Sequence, residues 1–394
     1  MTSVLAVLWL ATSALTLAGR LLFERRRRTV RQAHAVLAAS FDPQHAASRH
    51  TAAVELLERA PTSLLWALAA DASLPSIAQP AVARALSRAV GLRKLREIGR
   101  RGSTWRRAAA LRALVLTDPS PSWSALAEAL HDPSPQVGGG VITLLGQVEH
   151  RCAAELLGDA LRAGRHSRSR IATALENFPL ETPDVLMPLL WSDDAHVRFW
   201  AATLMRRYPS QAGLFERLEA LTDDRSPLVR KAALGTLSEL DEARGVEVVE
   251  RCLGDDVFFV RVHAVRALGV LGGPKSAGTI GRMLADRNWW VRTAAKQTLQ
   301  SLGPEGAPSI LPFLVHADLF ARNGAAEVLQ NTGVYERFLL EEATGRTDRY
   351  RRDVLLLLAD AGGRRMWNGQ MAKLAAIVNV RTRVSPDVPA HARL

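Results

Sequence analysis

Three pairs of adjacent carboxylates, Asp193-Asp194, Asp223-Asp224 and Asp255-Asp256, are the residues of this chain that most resemble acid–base machinery. Two carboxylates held close can divide the roles of proton donor and acceptor. Each pair, however, precedes a helix in the same kind of turn, so helix capping and stacking account for all three. The 10 histidines are scattered without the spacing of metal ligands. Cys152 and Cys252 are too few for a disulfide-dense scaffold or a cysteine zinc module and read as reduced thiols. The phosphate-loop pattern GxxxxGK(S/T) does not occur, nor do GxGxxG, HExxH or CxxC. No residue takes a catalytic, cofactor-binding or metal-binding role, and the chain reads as a non-enzyme without cofactor or metal.

Chemistry of recognition is more visible than chemistry of catalysis. Large aromatics recur beside a repeated Val-Arg: Phe199-Trp200, Phe258-Phe259, Trp289-Trp290, Phe320 and Tyr350, with Trp105 in a similar place upstream. Exposed together at one edge, they would form a ridge of the hot-spot type for a protein partner. The competing reading is packing between neighbouring repeats. One residue of each pair is expected to face outward more than the other.

These residues are positioned by a repeat. An Asp, a short turn, Val-Arg and helically spaced Ala and Leu recur at Asp194, Asp224, Asp255 and Asp286, and more weakly at Asp318 and Asp348. The arginine column runs Arg198, Arg230, Arg261, Arg292, Arg322 and Arg352, and extends back through Arg170 and Gly138 to Arg106. Its near-constant step of about 30 residues predicts one pair of amphipathic helices per unit. The pattern resembles the HEAT repeat family, particularly the short bacterial HEAT-like repeats shared with phycobilin lyase-like proteins, over roughly residues 100–363. The resemblance implies an all-α HEAT-like α-solenoid, a right-handed superhelix of helical pairs, in which Asp and Arg columns bond between neighbouring repeats. It transfers no active site: the His-Glu dipeptides of deoxyhypusine hydroxylase-like relatives do not occur here. Gly138-Gly139-Gly140 replaces the arginine of its repeat with poor helix formers, either as a hinge or as a degenerate repeat.

Charge separates the ends of the chain. Of its 394 residues, the first 112 hold 18 Lys/Arg against 6 Asp/Glu, which is the whole +12 excess, and the remainder is neutral. A neutral solenoid argues against phosphate binding along the repeats, so nucleic acid is not the expected partner. Ser3–Gly19 carries no charge, and Ser3–Phe23 would make a helix of roughly 31 Å, interrupted by Arg20 and followed by four arginines. A cleavable signal peptide would carry its charge before the apolar run, so this stretch reads as one transmembrane helix. The positive-inside rule then gives a single-pass inner-membrane protein, N-terminus outside and solenoid in the cytoplasm. Arg25, Arg26, Arg27, Arg28, Arg31, Arg93, Lys94, Arg96, Arg100 and Arg101 would face anionic lipid.

The expected organisation is an anchor over 1–24, a basic juxtamembrane segment over 25–45, an atypical helical cap over 46–99, HEAT-like repeats over 100–380 and a disordered tail over 381–394. The expected function is a membrane-anchored scaffold or adaptor for a protein partner at an anionic membrane surface. The alternatives are a lyase-like or enzyme-accessory protein with a small-molecule pocket, and a nucleic-acid-binding protein. Partner identity stays open at this level.

Overall fold

The computed structural model describes Glu24, residues 28–40 and most of residues 47–362. The described residues form helices and turns, in two compact units that divide between Val185 and Leu186.

The first unit holds α1 (Ala47–Glu58), α2 (Thr62–Ala70), α3 (Gln79–Val90), α4 (Leu92–Arg101), α5 (Thr104–Thr117), α6 (Trp123–Ala129), α7 (Pro135–Leu145), α8 (Arg151–Ala163) and α9 (Arg168–Glu176). A helical stretch over residues 28–40 precedes them and buries Leu37 in the same core. Trp66, Leu86, Leu95 and Leu114 fill that core, and the alanines Ala109, Ala110 and Ala113 let α5 approach its neighbours closely.

The glycine run does not break α7, which passes through Gly138, Gly139 and Gly140 as one helix. Gly138 leaves room for the His166 ring, and Gly139 for the Arg170 guanidinium, where a Cβ would overlap either. His166 uses that room to reach the Leu130 carbonyl, 2.6 Å from Nε2.

The second unit follows α10 (Pro183–Leu186) with α11 (Ala195–Leu204), α12 (Leu214–Leu221), α13 (Pro227–Leu237), α14 (Gly245–Arg251), α15 (Phe258–Gly272), α16 (Ala277–Arg282), α17 (Trp289–Ser301), α18 (Ala307–Ile310), α19 (Leu319–Asn331), α20 (Val334–Ala343) and α21 (Arg349–Gly362). Short first helices, several ending in a 3₁₀ turn, alternate with longer second helices. The second helices α11, α13, α15, α17 and α19 lie side by side in that order. Their contacts are made by the residues the repeat predicts: Val229 and Ala233, Val260 and Ala264, Val291 and Ala295, all fully buried. Small alanines bring the backbones together, and Leu268, Leu299 and Leu329 close the space between them.

Among the described residues no helix is long and apolar enough to cross a membrane. The longest, α15, has 15 residues and spans about 22 Å, short of a hydrocarbon core of about 30 Å. This overturns the expected single-pass inner-membrane localisation, and none of the described helices is the transmembrane helix of the expected fold. The stretch that suggested it, Ser3–Phe23, lies outside the described residues, as does the tail expected over 381–394.

Candidate protein-binding edge

One turn recurs before the second helices α13, α15 and α17. There an aspartate six residues before the repeat arginine accepts the backbone N–H two residues on: Asp224 from Ser226, Asp255 from Val257 and Asp286 from Asn288, at 2.7–2.8 Å; Asp132 and Asp194 make the same bond to Ser134 and His196. The arginine six residues later turns back, and its Nη1 donates to the carbonyl of that same position. Arg230 reaches Asp224, Arg261 reaches Asp255 and Arg292 reaches Asp286. The turn therefore fixes both the helix start and the direction of the arginine.

The remaining guanidinium nitrogens bind the aspartate of the next repeat. Arg198 holds Asp224, Arg230 holds Asp255 and Arg261 holds Asp286, each through two nearly parallel bonds of 2.7–2.9 Å. Such fork-to-carboxylate pairs fix geometry as well as adding energy. Burial works to raise the carboxyl pKa of all three aspartates, but the arginine and backbone hydrogen bonds prevail and hold it below the usual range. The aspartates of the ladder are structural, as their turn positions imply.

Aromatic residues fill the first turns of the same helices. Trp289 and Trp290 open α17 and are 57% and 59% exposed, touching edge to face with centroids 4.8 Å apart. Phe320 on α19 is 60% exposed, and Phe258 on α15 is 40% exposed. Phe259 is only partly exposed and packs on the core beneath Phe258. The expected division of labour within a pair thus holds for Phe258-Phe259, whereas both tryptophans face outward. Phe199 and Trp200 are half-buried and pack edge to face on α11. Tyr350 opens α21, and its side chain lies outside the described residues.

Apolar residues without a ring extend this edge. Leu228, Leu319 and Val315 are also exposed beside the same inter-helix turns. The sequence signal for them was positional: Leu228 and Leu319 fall two and three residues before a repeat arginine. Because α13, α15, α17 and α19 are consecutive neighbours, these side chains form one row. With about 10 Å between packed helices, it runs on the order of 30 Å.

The described basic residues of the first unit differ in exposure and in partners. Arg93, Lys94 and Arg101 are exposed, as are Arg28 and Arg31, while Arg96 is half-buried. Arg100 is held by Glu128 at 2.8 and 2.9 Å, and Arg107 by Asp132 at 2.9 Å. Arg88 pairs with Glu58. Arg106 lies over the rings of Trp66 and Trp105, and Arg112 donates to the Asp71 carbonyl. Carboxylates distant in sequence thereby neutralise part of what looked like an unpaired basic run. Arg25, Arg26 and Arg27 lie outside the described residues.

Among the described residues, no three His, Cys, Asp or Glu side chains gather as a metal site. Cavities in the first unit beside Arg112 are small, of about 10 and 30 Å³.

Residues 183–261 match the family model for HEAT repeats. The chain is 24% identical over 159 residues to the bilin biosynthesis protein PecE of Mastigocladus laminosus, a match over 38% of this chain and 59% of that protein. The chain thus spans about three-fifths of that relative's length. Among solved structures, the karyopherin Kap121p bound to the extreme C-terminus of the protein phosphatase Cdc14p is 12% identical with a TM-score of 0.45, covering 89% of this chain and 48% of Kap121p. An engineered protein is 18% identical with a TM-score of 0.36, covering 77% and 96%. The family match and the repeated Asp–Arg turn together make the described residues an all-α helical solenoid of HEAT type.

Proposed function

We propose that the chain is a non-catalytic scaffold or adaptor that binds a protein partner along the aromatic edge of its second unit. One observation carries this reading: four large aromatics, Phe258, Trp289, Trp290 and Phe320, stand exposed in a single row on consecutive helices. Leaving that much apolar surface in water is unfavourable at about 25 cal/mol per Å², and a partner's contact relieves it. Aromatic side chains fixed on stacked helices also lose little freedom on binding, which favours hot spots.

Comparative affinity purification tests the reading, with wild type set against Trp289→Ala/Trp290→Ala and Phe258→Ala variants. A partner recovered by wild type and lost from both variants supports it. An unchanged set of recovered proteins overturns it. The tryptophans are mostly exposed, so their variant is expected to keep its thermal midpoint within a few degrees, whereas Phe258, 40% exposed, also loses packing, and circular dichroism checks that its variant is folded.

The similarity to PecE motivates a second reading, a lyase-like protein with a small-molecule pocket. Titration with a linear bilin, followed by absorbance, separates the two readings. A saturable spectral change that survives Trp289→Ala/Trp290→Ala favours the pocket.

A further inference from the structure

The Asp–Arg ladder stops beside the most exposed part of the aromatic edge. Arg198, Arg230 and Arg261 each find the carboxylate of the next repeat, but in the repeat after Arg292 the equivalent position, six residues before Arg322, is His316. The backbone geometry there is unchanged. His316 Nδ1 accepts the Asp318 N–H at 3.0 Å, as the ladder aspartates accept theirs, and its carbonyl accepts Arg322 Nη1 at 3.0 Å. Only the carboxylate is missing.

Among the described residues, two guanidinium groups are left without an acid. Arg292 donates through Nη1 to the Asp286 carbonyl and lies over the Phe320 ring, 4.4 Å from its centroid. Arg322 donates through Nη1 to the His316 and Ala317 carbonyls. Both side chains are partly exposed, and neither contributes an atom to the buried unpartnered nitrogens of the described residues. The nearby acids are already engaged: Asp286 by Arg261, Glu327 by Lys296, and Asp318 by the Ala321 N–H. The N-terminal ends of α17 and α19 add positive potential at the same edge.

We infer that this edge receives an acidic, apolar segment of a partner protein, whose carboxylates occupy the place of the missing ladder aspartate on Arg292 and Arg322. Its large apolar side chains lie against Trp289, Trp290 and Phe320. The inference rests on the reading of the edge as protein-binding. Arginine suits this task because its planar fork takes a carboxylate through two bonds while its face stacks on an aromatic ring. Phe320 already holds Arg292 in that stacked pose, so little ordering is needed on binding.

The test uses the full chain, immobilised and panned with a phage-displayed library of random dodecapeptides. The expected enriched set combines net negative charge with one or more large apolar residues. The consensus peptide, fluorescently labelled, is then titrated by anisotropy against variants checked by circular dichroism. Arg292→Gln/Arg322→Gln is expected to weaken binding at least 10-fold. His316→Asp supplies the ladder carboxylate within the chain, keeps the Asp318 N–H bond and is expected to weaken binding several-fold. That variant decides the matter where the double arginine variant fails to fold. A neutral or basic consensus, or binding unchanged in both variants, overturns the inference. Binding lost only in Trp289→Ala/Trp290→Ala keeps the edge reading and overturns the acidic segment. Binding indifferent to the tryptophans, or a selection with no enrichment, overturns both. Light scattering that shows a dimer dissolved by the tryptophan variant makes a second copy the occupant and likewise overturns the acidic segment.

Discussion

His263 and the ladder aspartates respond to acid in separate windows. Burial on α15, helped by Lys231 and Arg266, pushes the His263 imidazole down to about 4. The unfolded chain, with its histidine near 6.5, takes up that proton first. The contribution of His263 is therefore complete above about pH 6.5 and is lost as pH falls toward about 4. For Asp224, Asp255 and Asp286 the folded carboxyl pKa is depressed, so their stabilisation is complete above the unfolded value of about 3.9 and fades below it. Thermal midpoints measured from pH 7.5 to pH 3 are expected to fall in two stages. His263→Gln flattens the upper stage, and Asp255→Asn flattens part of the lower while costing about 2 kcal/mol at neutral pH, because Arg230 loses its charged partner. An upper stage identical in His263→Gln assigns that titration elsewhere. The ladder was legible in the sequence as a repeated Asp and Arg, but not in its register. Asp194 and Asp318 fall four residues before their arginines and cap the helix directly, whereas Asp224, Asp255 and Asp286 fall six before and bridge repeats. A column drawn through every aspartate merges two positions and hides Ser192 and His316, which occupy the bridging place in their own repeats. Counting six residues back from each arginine recovers the distinction.

At the scale of the element, α7 shows what helix propensity alone leaves out of the triple glycine. Helix propensity weighs Gly138, Gly139 and Gly140 alike, yet the structure gives them different surroundings. A Cβ on Gly138 collides with the His166 ring, while one on Gly140 meets nothing within 4 Å. Gly138→Ala is expected to destabilise by about 1–3 kcal/mol, displacing His166 from the Leu130 carbonyl. Gly140→Ala is expected to stabilise by about 0.5–1 kcal/mol through the lower backbone entropy of its unfolded chain. Denaturant midpoints measure both; equal effects from the two substitutions exclude the packing account. The aromatic pairs carry a related lesson. Consecutive helical residues lie about 100° apart, which suggested one face in and one out. The first turn of a helix has free flank on more than one side, and Trp289 and Trp290 both use it. Periodicity places a residue on a helix face but does not say how far the neighbouring turn covers that face. The pairing of Arg88, Arg100 and Arg107 with Glu58, Glu128 and Asp132 was not legible in the sequence, since those carboxylates reach the arginines only through folding.

For the molecule as a whole, repeat stacking makes stability local. Each second helix of the second unit touches its neighbours in sequence, α13 with α15, α15 with α17 and α17 with α19, so the loss of one contact passes chiefly to the adjoining repeats. Val260 is fully buried between α13 and α17, whereas Leu355 is buried on α21, the last described helix. Val260→Ala removes two methyl groups from an interior site and is expected to cost about 1–3 kcal/mol. It weakens contacts on both sides, so amide exchange should quicken across α13, α15 and α17 together. Leu355→Ala costs a similar or larger amount locally. Its repeat has only one described neighbour to transmit the loss, so faster exchange should stay within α19, α20 and α21. Hydrogen exchange followed by mass spectrometry distinguishes the patterns, because local openings are governed by nearby contacts rather than by the global midpoint. Uniformly faster exchange throughout the second unit from Leu355→Ala would show a single cooperative block, contrary to nearest-neighbour stacking. In a nearest-neighbour stack the row on α15, α17 and α19 keeps its geometry when the last repeat frays, which is what a binding edge built across several helices requires.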